Sequence, residues 1–307
     1  MATVALSEPG GWWGADRVHA AAHRVAAAAG TATGAESSGA DSDRSEYRLS
    51  GIKNHVLWAE RADLVIAPFV ASTGDGGGEL SLFAIEPKDL GAALTVAAER
   101  AVDTTRRAAR LTMTDTAVPA RCRLSGNAAS GAGDGAWALA AWRAVHVRGY
   151  MLLAAEAVGA AAAIHDQTCA YARDRVQFDR PIGSFQAVKH PLVDVLSAIE
   201  QARTLVYSAA ATLDALAAAS AGQPDGAGEA RAEVAARMAK AAATSALRMA
   251  ADRGVQLHGG FGFTWDCDAH LFVKRALWTA ATLGDELHHR RHLARSLLDP
   301  ERRIQPA

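Results

Sequence analysis

The stretch YARDRVQFDRPIGSFQAVKHPLVDV (171–195) contains the end of one helical pattern, a break with Pro and Gly, and the start of the next helical pattern. Apolar residues recur at three- and four-residue steps in four long Ala/Leu-rich segments, 137–174, 185–219, 229–258 and 269–298. Breaks that contain Gly or Pro separate these segments, at 181–183, 222–228 and 259–262. Helices of this length joined by short links predict an antiparallel four-helix bundle.

The first part of the chain has a different composition, with short β-branched and aromatic runs: YRLSGIKNHVLW (47–58), DLVIAPFVAS (63–72), ELSLFAIEP (79–87) and RLTMTDTAVP (110–119). Strand-sized runs with turn signals such as 74–78 between them predict an antiparallel barrel or sandwich. A Ser/Gly/Asp-rich piece (34–44) predicts a mobile hairpin loop. We therefore expect an α+β protein with a β domain (1–127), a Gly/Ala/Ser linker (127–135) and a four-helix bundle domain (128–307).

Composition excludes several functional classes. A chain of 307 residues suggests two domains. Its 32 Lys and Arg against 33 Asp and Glu argue against a nucleic-acid partner, which is bound through excess positive charge. The three Cys residues are far apart, so we expect a reducing cytoplasm and no disulfide framework. The N-terminus lacks a signal-peptide pattern, and the apolar stretch 152–164 is too short and too interrupted to span a bilayer, so we expect no membrane contact.

The stretch 171–195, together with VQLHGGFGFTWD (255–266), resembles the acyl-CoA dehydrogenase family. The signature of that family is Y-x-x-x-R-x-x-F-G-x-x-I-x-x-F-Q, followed later by Q-x-x-G-G-x-G. The resemblance continues upstream through the flavin-contacting loop, the flavin-flanking strand and the strand that leaves the β domain, at VALSEPGG (4–11), GIKNHVLWAERADLVI (51–66) and TDTAVPARCRLSG (114–126). Because a helical domain precedes that loop in the family, the resemblance implies a shortened member or a fragment, with an open acyl pocket.

The resemblance implies FAD as the cofactor. Arg175 can grip phosphate oxygens through a planar guanidinium, and Gly259 and Gly260 let backbone N–H groups approach a diphosphate. In the family such contacts reach the adenine-diphosphate half of a neighbouring chain's FAD. By composition alone, Arg175 would be a surface charge and the glycine pair a helix stop. The implied cofactor-binding residues are Arg175, Phe178, Gln186, Gln256, Gly259, Gly260 and, in the upstream loop, Ser7.

The catalytic half of the resemblance is incomplete, so we assign no catalytic residue. The family's base is a Glu in one of two places, and the corresponding positions here hold Thr282 or Leu283 in the first place and Gly149 in the second. Neither Thr, Leu nor Gly can accept the α-proton. Asp285 is a displaced candidate that would require a shifted loop. Glu156 is a second one, although a Glu on a helix more often faces solvent or pairs with a neighbouring helix.

Two further departures affect the residues near the flavin ring. The family's W-I-T sequence, whose Thr bonds the flavin, reads His55-Val56-Leu57 here. Trp12-Trp13 stands where the family has a smaller, Ser-containing sequence, and two indoles would fill space that an acyl-pantetheine arm needs.

A His-rich run raises the question of a metal site. His288 and His292 have an i, i+4 spacing that could bind zinc on one helix face. The sequence offers no third ligand, so we expect an exposed basic helix end and no metal.

The losses concern this chain's own active site, and the groups it would offer a neighbour are retained. The sequence therefore predicts the supporting subunit of a heteromeric acyl-CoA dehydrogenase, whose homologous partner carries the Glu and whose substrate is an acyl-CoA thioester. Heteromers of this kind in the family favour the steroid-CoA branch. The alternatives are a self-sufficient homo-oligomeric dehydrogenase with a displaced base and a flavin-free scaffold.

Overall fold

A computed structural model of the chain describes residues 1–10, 17–25, 46–72, 77–125, 134–219 and 226–298. The chain forms two compact units, Met1–Arg143 and Ala144–Ala307. The first, here called the sheet unit, contains the β-sheet, and the second, the helical unit, contains most of the helical residues. Four predicted features lie wholly or partly outside the described residues: the boundary at 127/128, the linker 127–135, the loop 34–44 and the turn 74–78.

The described part of the sheet unit has eight strands and one short α-helix: β1 (Ala2–Val4), β2 (Ala21–Val25), β3 (Glu46–Leu57), β4 (Leu64–Ser72), β5 (Gly78–Ile85), α1 (Pro87–Leu90), β6 (Leu94–Glu99), β7 (Ala108–Pro119) and β8 (Arg123–Leu124). Seven strands lie in the order β6-β7-β3-β2-β4-β5-β8, and β1 pairs with β4. The β-branched and aromatic runs of the sequence form β3, β4, β5 and β7, as predicted. Their inward side chains include Tyr47 and Phe69, whose rings meet the ring of Phe83 edge-on at 5.2 and 5.5 Å.

The predicted antiparallel barrel needs two corrections. First, β1 and β2 both run parallel to β4. They are short strands that each cover part of the longer β4, at 64–66 and at 70–71, and neither is joined to β4 by a hairpin that would force an antiparallel pairing. Second, the described strands form an open path from β6 to β8, so a closed barrel is not seen among them.

In the described residues, the helical unit contains three long helices, two short ones and a two-stranded hairpin: α2 (Asp134–Asp174), β9 (Val176–Gln177), β10 (Arg180–Pro181), α3 (Gln186–Ala219), α4 (Gly226–His258), α5 (Ala269–Ala281) and α6 (Glu286–Leu298). Helix α2 begins within the sheet unit. The core of the helical unit is rich in alanine, which allows helices to approach closely. Fully buried examples from α2, α3 and α4 are Ala154, Ala161, Ala202, Ala239 and Ala243.

The four-helix prediction is confirmed only in part, because the predicted fourth segment, 269–298, is two helices. Helix α5 ends before Thr282, and helix α6 begins after Asp285. Between them, Leu283 and Gly284 have positive φ angles of 59° and 97°, which a helix does not allow. The Asp285 carboxylate then accepts the N–H of His288 at 2.7 Å and caps α6. Apolar periodicity continues across this turn, which is why the sequence pattern does not reveal it.

Among the described residues, one helix, α2, is long and apolar enough to cross a membrane by length and composition alone. This corrects the view of 152–164 as a short apolar stretch, since the helix that contains it has 41 residues. Ala154, Ala161 and Ile164 of α2 belong to the buried core of the helical unit, which accounts for the apolar composition of this face.

Two glycines in helix interiors provide a matched test of the close packing. A Cβ added to Gly254 of α4 would lie 2.6 Å from Ile164 Cγ1 of α2, whereas one added to Gly159 of α2 would meet no atom within 4 Å. We predict that Gly254→Ala destabilises the protein by about 1–3 kcal/mol through overpacking. Gly159→Ala should instead stabilise it by up to about 1 kcal/mol through helix propensity. Denaturant unfolding of both variants measures this, and equal effects would contradict the packing argument.

Candidate functional site

A cleft forms where the ends of α2 and α4 come together. Arg175 follows α2 and is fixed on both sides, since its N–H donates to the Tyr171 carbonyl at 2.9 Å and its carbonyl accepts the Ile182 N–H at 2.8 Å. Gly259 and Gly260 follow α4 in a 3₁₀ turn, Gly259–Phe263. Gly259 has a φ of 62°, which only glycine adopts readily.

The cleft has a volume of about 600 Å³, which lies within the range of small-molecule sites. The end of α2, the β9–β10 hairpin with the residue after it, the end of α4 and the glycine turn line the cleft. The lining residues are Tyr171, Arg175, Gln177, Ile182, Leu257, His258, Gly259, Gly260 and Phe261. The structure therefore brings together three of the predicted cofactor-binding residues, Arg175 and the glycine pair.

An aromatic stack in the cleft was missed by the sequence analysis. The Tyr171 ring stacks on the His258 imidazole with centroids 4.4 Å apart and planes at 25°. It lies nearly parallel to the Phe261 ring, with centroids 6.4 Å apart and planes at 14°. His258 is held by a 2.7 Å hydrogen bond between its Nδ1 and the Gly254 carbonyl. Both Tyr171 and Phe261 lie inside the quoted motifs, so their proximity to Arg175 and Gly259 was the available signal.

The lining residues fit the adenine-diphosphate half of FAD in charge and shape. Arg175 is exposed and has no ion-pair partner in the part of the chain that the structure describes, so its guanidinium is available to an anion. A Cβ added to Gly259 or Gly260 would meet no atom within 4 Å, so a ligand can approach the backbone closely there. The stacked rings of Tyr171 and Phe261 offer apolar surface beside these polar groups.

Three other predicted contacts lie outside this cleft lining. Phe178, at the tip of the β9–β10 hairpin, is 86% exposed, and its ring meets the Phe185 ring edge-on at 6.1 Å. Gln186 at the start of α3 and Gln256 near the end of α4 are exposed. Their roles as contacts to FAD stay predictions.

Ser7, the predicted contact in the upstream loop, belongs to the sheet unit and is fully buried. Its hydroxyl donates to the Glu8 carbonyl at 3.4 Å, and its own carbonyl accepts the Asn54 N–H at 2.9 Å. The loop is fixed by the Glu8 carboxylate, which accepts a hydrogen bond from the buried Lys53 ammonium and another from the His19 N–H at 2.7 Å. Burial lowers the pKa of Lys53 to about 8, although Glu8 opposes this shift. The cofactor role of Ser7 stays a prediction.

The strand that aligns with the family's W-I-T sequence presents no hydroxyl from His55 to Leu57. Val56 is fully buried, and the imidazole Nδ1 of the half-exposed His55 lies 2.8 Å from the Glu99 carboxylate. The carbonyl of Leu57 accepts the Thr3 hydroxyl at 2.7 Å. The Trp12-Trp13 pair lies outside the described residues.

The two positions predicted to lack the base meet in the helical unit. A Cβ added to Gly149 of α2 would lie only 2.6 Å from Leu283 Cδ1, so the Leu283 side chain fills the space beside Gly149. Leu283 is 3% exposed. Thr282 is turned to the end of α5, where its hydroxyl donates to the Trp278 carbonyl at 2.8 Å. Of the two residues, Leu283 is therefore the one that faces Gly149, and apolar atoms occupy this point.

Both displaced candidates for the base are engaged elsewhere. Asp285 caps α6 through its bond to the His288 N–H. Glu156 accepts a hydrogen bond at 2.5 Å from Arg275 and forms an ion pair that joins α2 to α5.

The His-rich run lies on α6, where the rings of His288 and His292 have centroids 4.7 Å apart. Burial and the Arg237 guanidinium lower the pKa of His292 to about 4. Among the described residues, no group of three or more His, Cys, Asp or Glu side chains is placed to hold a metal ion.

The pattern of residues 135–298 matches the protein family described as acyl-CoA dehydrogenase, C-terminal domain, over more than half of the chain. The chain belongs to the acyl-CoA dehydrogenase family. Members of this family generally bind FAD. The chain is 38% identical over 143 residues to acyl-CoA dehydrogenase IpdE2 of Mycolicibacterium smegmatis, a match that covers 47% of this chain and 40% of that protein. It is 42% identical over 133 residues to IpdE2 of Mycobacterium tuberculosis, covering 43% of this chain and 36% of that one.

Solved structures confirm the acyl-CoA dehydrogenase-like fold. Butyryl-CoA dehydrogenase from Megasphaera elsdenii has a TM-score of 0.78 and 23% identity, and the match covers 97% of this chain and 68% of that one. The ChsE4–ChsE5 complex of Mycobacterium tuberculosis contains a chain with a TM-score of 0.71 and 24% identity, covering 100% and 67%. The chain thus matches about two fifths of the length of the curated relatives and about two thirds of these solved chains.

The contact between Gly149 and Leu283 can be tested by a double-mutant cycle. Gly149→Ala alone should destabilise the protein by about 1–3 kcal/mol, because its Cβ would overlap Leu283 Cδ1. In a Leu283→Ala background the same change should be neutral or stabilising, since alanine is a better helix former. Denaturant unfolding of the four proteins gives the coupling energy, expected at about 1–3 kcal/mol. Additive effects would show that the two side chains do not meet.

Proposed function

We propose that this chain is the supporting subunit of a heteromeric, FAD-dependent acyl-CoA dehydrogenase. It binds the adenine-diphosphate half of an FAD whose reactive ring lies in the active site of a homologous partner chain. The observation that carries this proposal is a difference between two places in the helical unit: the cleft at Arg175, Gly259 and Gly260 is open, and the place beside Gly149 is filled by Leu283.

The residues of the cleft have separate tasks in this proposal. Arg175 neutralises diphosphate charge from a backbone position that is held by hydrogen bonds to Tyr171 and Ile182. Gly259 and Gly260 supply backbone N–H donors to the same phosphates. The stacked rings of Tyr171 and His258 pack beside Arg175 and the two glycines in the cleft lining. FAD, when bound, supplies the hydride acceptor for α,β-dehydrogenation.

The partner chain is needed because dehydrogenation requires a base. Removal of the α-proton needs a carboxylate or another acceptor within hydrogen-bond reach of the substrate. At the aligned place this chain has Leu283 against Gly149, while Asp285 caps a helix and Glu156 pairs with Arg275. These contacts favour the supporting role over a homo-oligomer that uses either displaced carboxylate.

The substrate of the proposed complex is an acyl-CoA thioester. We propose the steroid-CoA class, on the basis of the resemblance described above. The fold neighbour from the ChsE4–ChsE5 complex, a structure of two differently named chains, supports a heteromeric assembly. We place the protein in the cytoplasm, where the thiols of Cys122, Cys169 and Cys267 would stay free as they are in the structure.

Substitution of Arg175 tests the proposed cofactor role. The chain is co-expressed with candidate full-length homologues that carry the Glu, and flavin per purified complex is measured by visible absorbance. Arg175→Ala should weaken FAD retention by about ten-fold or more, because a charge-assisted contact to phosphate is lost. Arg173→Ala is the matched control, since this exposed arginine lies two residues away and does not line the cleft.

Three outcomes would contradict the proposal. Full flavin occupancy with Arg175→Ala would refute the cleft assignment. Unchanged partner activity without this chain would refute the supporting role. A purified chain that is yellow by itself and bleaches when given an acyl-CoA would identify the self-sufficient enzyme instead.

A further inference from the structure

A buried lysine lies behind the turn that carries Leu283. Lys240 of α4 is fully buried, and its ammonium group donates to the Thr279 carbonyl at 2.8 Å, the Thr244 hydroxyl at 3.1 Å and the Gly284 carbonyl at 3.3 Å. Thr279 lies in the last turn of α5, and Gly284 lies just before α6. One cation therefore joins the two ends of the α5–α6 turn (282–285) to α4.

The turn that Lys240 holds has an unfavourable local conformation. Leu283 has a φ of 59°, which costs a branched side chain energy that glycine would not lose. Gly149 makes room for Leu283, but glycine has a lower helix propensity than alanine in a helix interior. Lys240 is a buried charge without a carboxylate partner within 4 Å among the described residues. These three costly features are linked through one turn, since Lys240 binds the Gly284 carbonyl next to Leu283 and Leu283 packs on Gly149. They indicate that the position of this turn matters.

We propose that Lys240 is a positioning residue, whose ammonium group holds the α5–α6 turn in place and thereby keeps Leu283 packed against Gly149, closing the place where the family's proton acceptor would lie. This inference rests on the proposed function for its meaning, because closure confines the reaction to the partner's active site. Its physical content is independent of FAD and of the partner chain. Failure of the test below and failure of the flavin test are therefore distinguishable.

The protonation state of Lys240 provides a readout specific to this role. Burial lowers its pKa from 10.5 to about 8, and the Asp285 carboxylate offsets only part of the shift. The other titratable groups nearby are Arg237 on α4 and His288 and His289 on α6, and burial together with the Arg237 charge lowers the pKa of both histidines. These imidazoles are neutral above pH 7, so Lys240 is the group of this set that titrates near pH 8.

Loss of the Lys240 proton should move local and global stability in opposite directions. The unfolded chain binds more protons than the folded chain between pH 8 and 10.5, so this residue makes the folded state more stable as the pH rises. The neutral amine, however, has one donor fewer and no charge, so the contact to Gly284, the longest of the three, should weaken. A buried lysine that did not hold the turn would produce the global change alone, so the weakening of the turn is the specific readout.

The test is hydrogen exchange of the purified full chain, compared for wild type, Lys240→Met and the exposed control Lys189→Met. Protection of the Thr282 and His288 amides should fall about ten-fold or more in Lys240→Met, because a charged hydrogen-bond donor is removed. The Ile199 amide in the core of α3 reports global stability, so the fall at Thr282 and His288 is measured relative to it, and Lys189→Met should match wild type at all three amides. A Leu283→Cys variant should become reactive to a thiol reagent only when combined with Lys240→Met.

Hydrogen exchange of wild type as a function of pH is a second test, and it does not require Lys240→Met to fold. In wild type, protection of the Thr282 amide should fall between pH 7 and 9 relative to that of Ile199. The free energy of unfolding of wild type should rise relative to that of Lys240→Met over pH 8–10.5, and the contribution of Lys53 cancels because both proteins retain it. Unchanged turn protection in Lys240→Met, or in wild type across this pH range, would overturn the proposal.

Discussion

The close approach of α2 and α4 is the constraint on which the helical unit depends. Gly254 leaves no room for a Cβ against Ile164, and the same surface of α2 brings the Thr168 hydroxyl to 3.3 Å from that Cβ position. One turn further along both helices, the Tyr171 ring stacks on His258. The glycine turn after α4 therefore faces the arginine after α2 because two helices rich in Ala and Gly pack at short distance. An open cleft, whose guanidinium has no ion-pair partner within the described ranges of the chain, follows from packing that lies outside the cleft.

The sequence predicted those features that local patterns determine. Periodicity and Gly/Pro breaks located α2, α3 and α4, and motif spacing located Arg175 beside Gly259. Features that depend on the rotation of one element against another were not predicted. The Tyr171–His258 stack requires two particular helix faces to meet, and the parallel pairing of β1 and β2 with β4 requires knowledge of long connections. The break between α5 and α6 was hidden because apolar residues continue in step across Leu283.

Buried lysines fix a loop in each unit by the same physical means. Lys53 binds the Glu8 carboxylate and the Pro68 carbonyl behind the loop that carries Ser7. Lys240 binds carbonyls behind the turn that carries Leu283. In both cases burial lowers the pKa of the lysine. At neutral pH the charged form therefore gives the folded state less stability than a neutral amine at the same place would. A lysine has three donors on a compact tip, and this allows it to join backbone segments that a hydrophobic side chain could only cover. Local order is gained at a cost to global stability.

This local order bears on the proposed absence of a base from this chain. A chain that merely lost its base would be expected to leave a gap or a polar residue there, since one substitution would remove the carboxylate and leave its surroundings unchanged. Here Leu283, in an unfavourable backbone conformation, fills the space that Gly149 leaves in a helix interior. The polar atoms of the turn are satisfied by Lys240 instead of facing a substrate. Such complementary packing supports the proposal that this chain has a stable task without its own base, and in that proposal the task is to bind a neighbouring chain's cofactor in the open cleft.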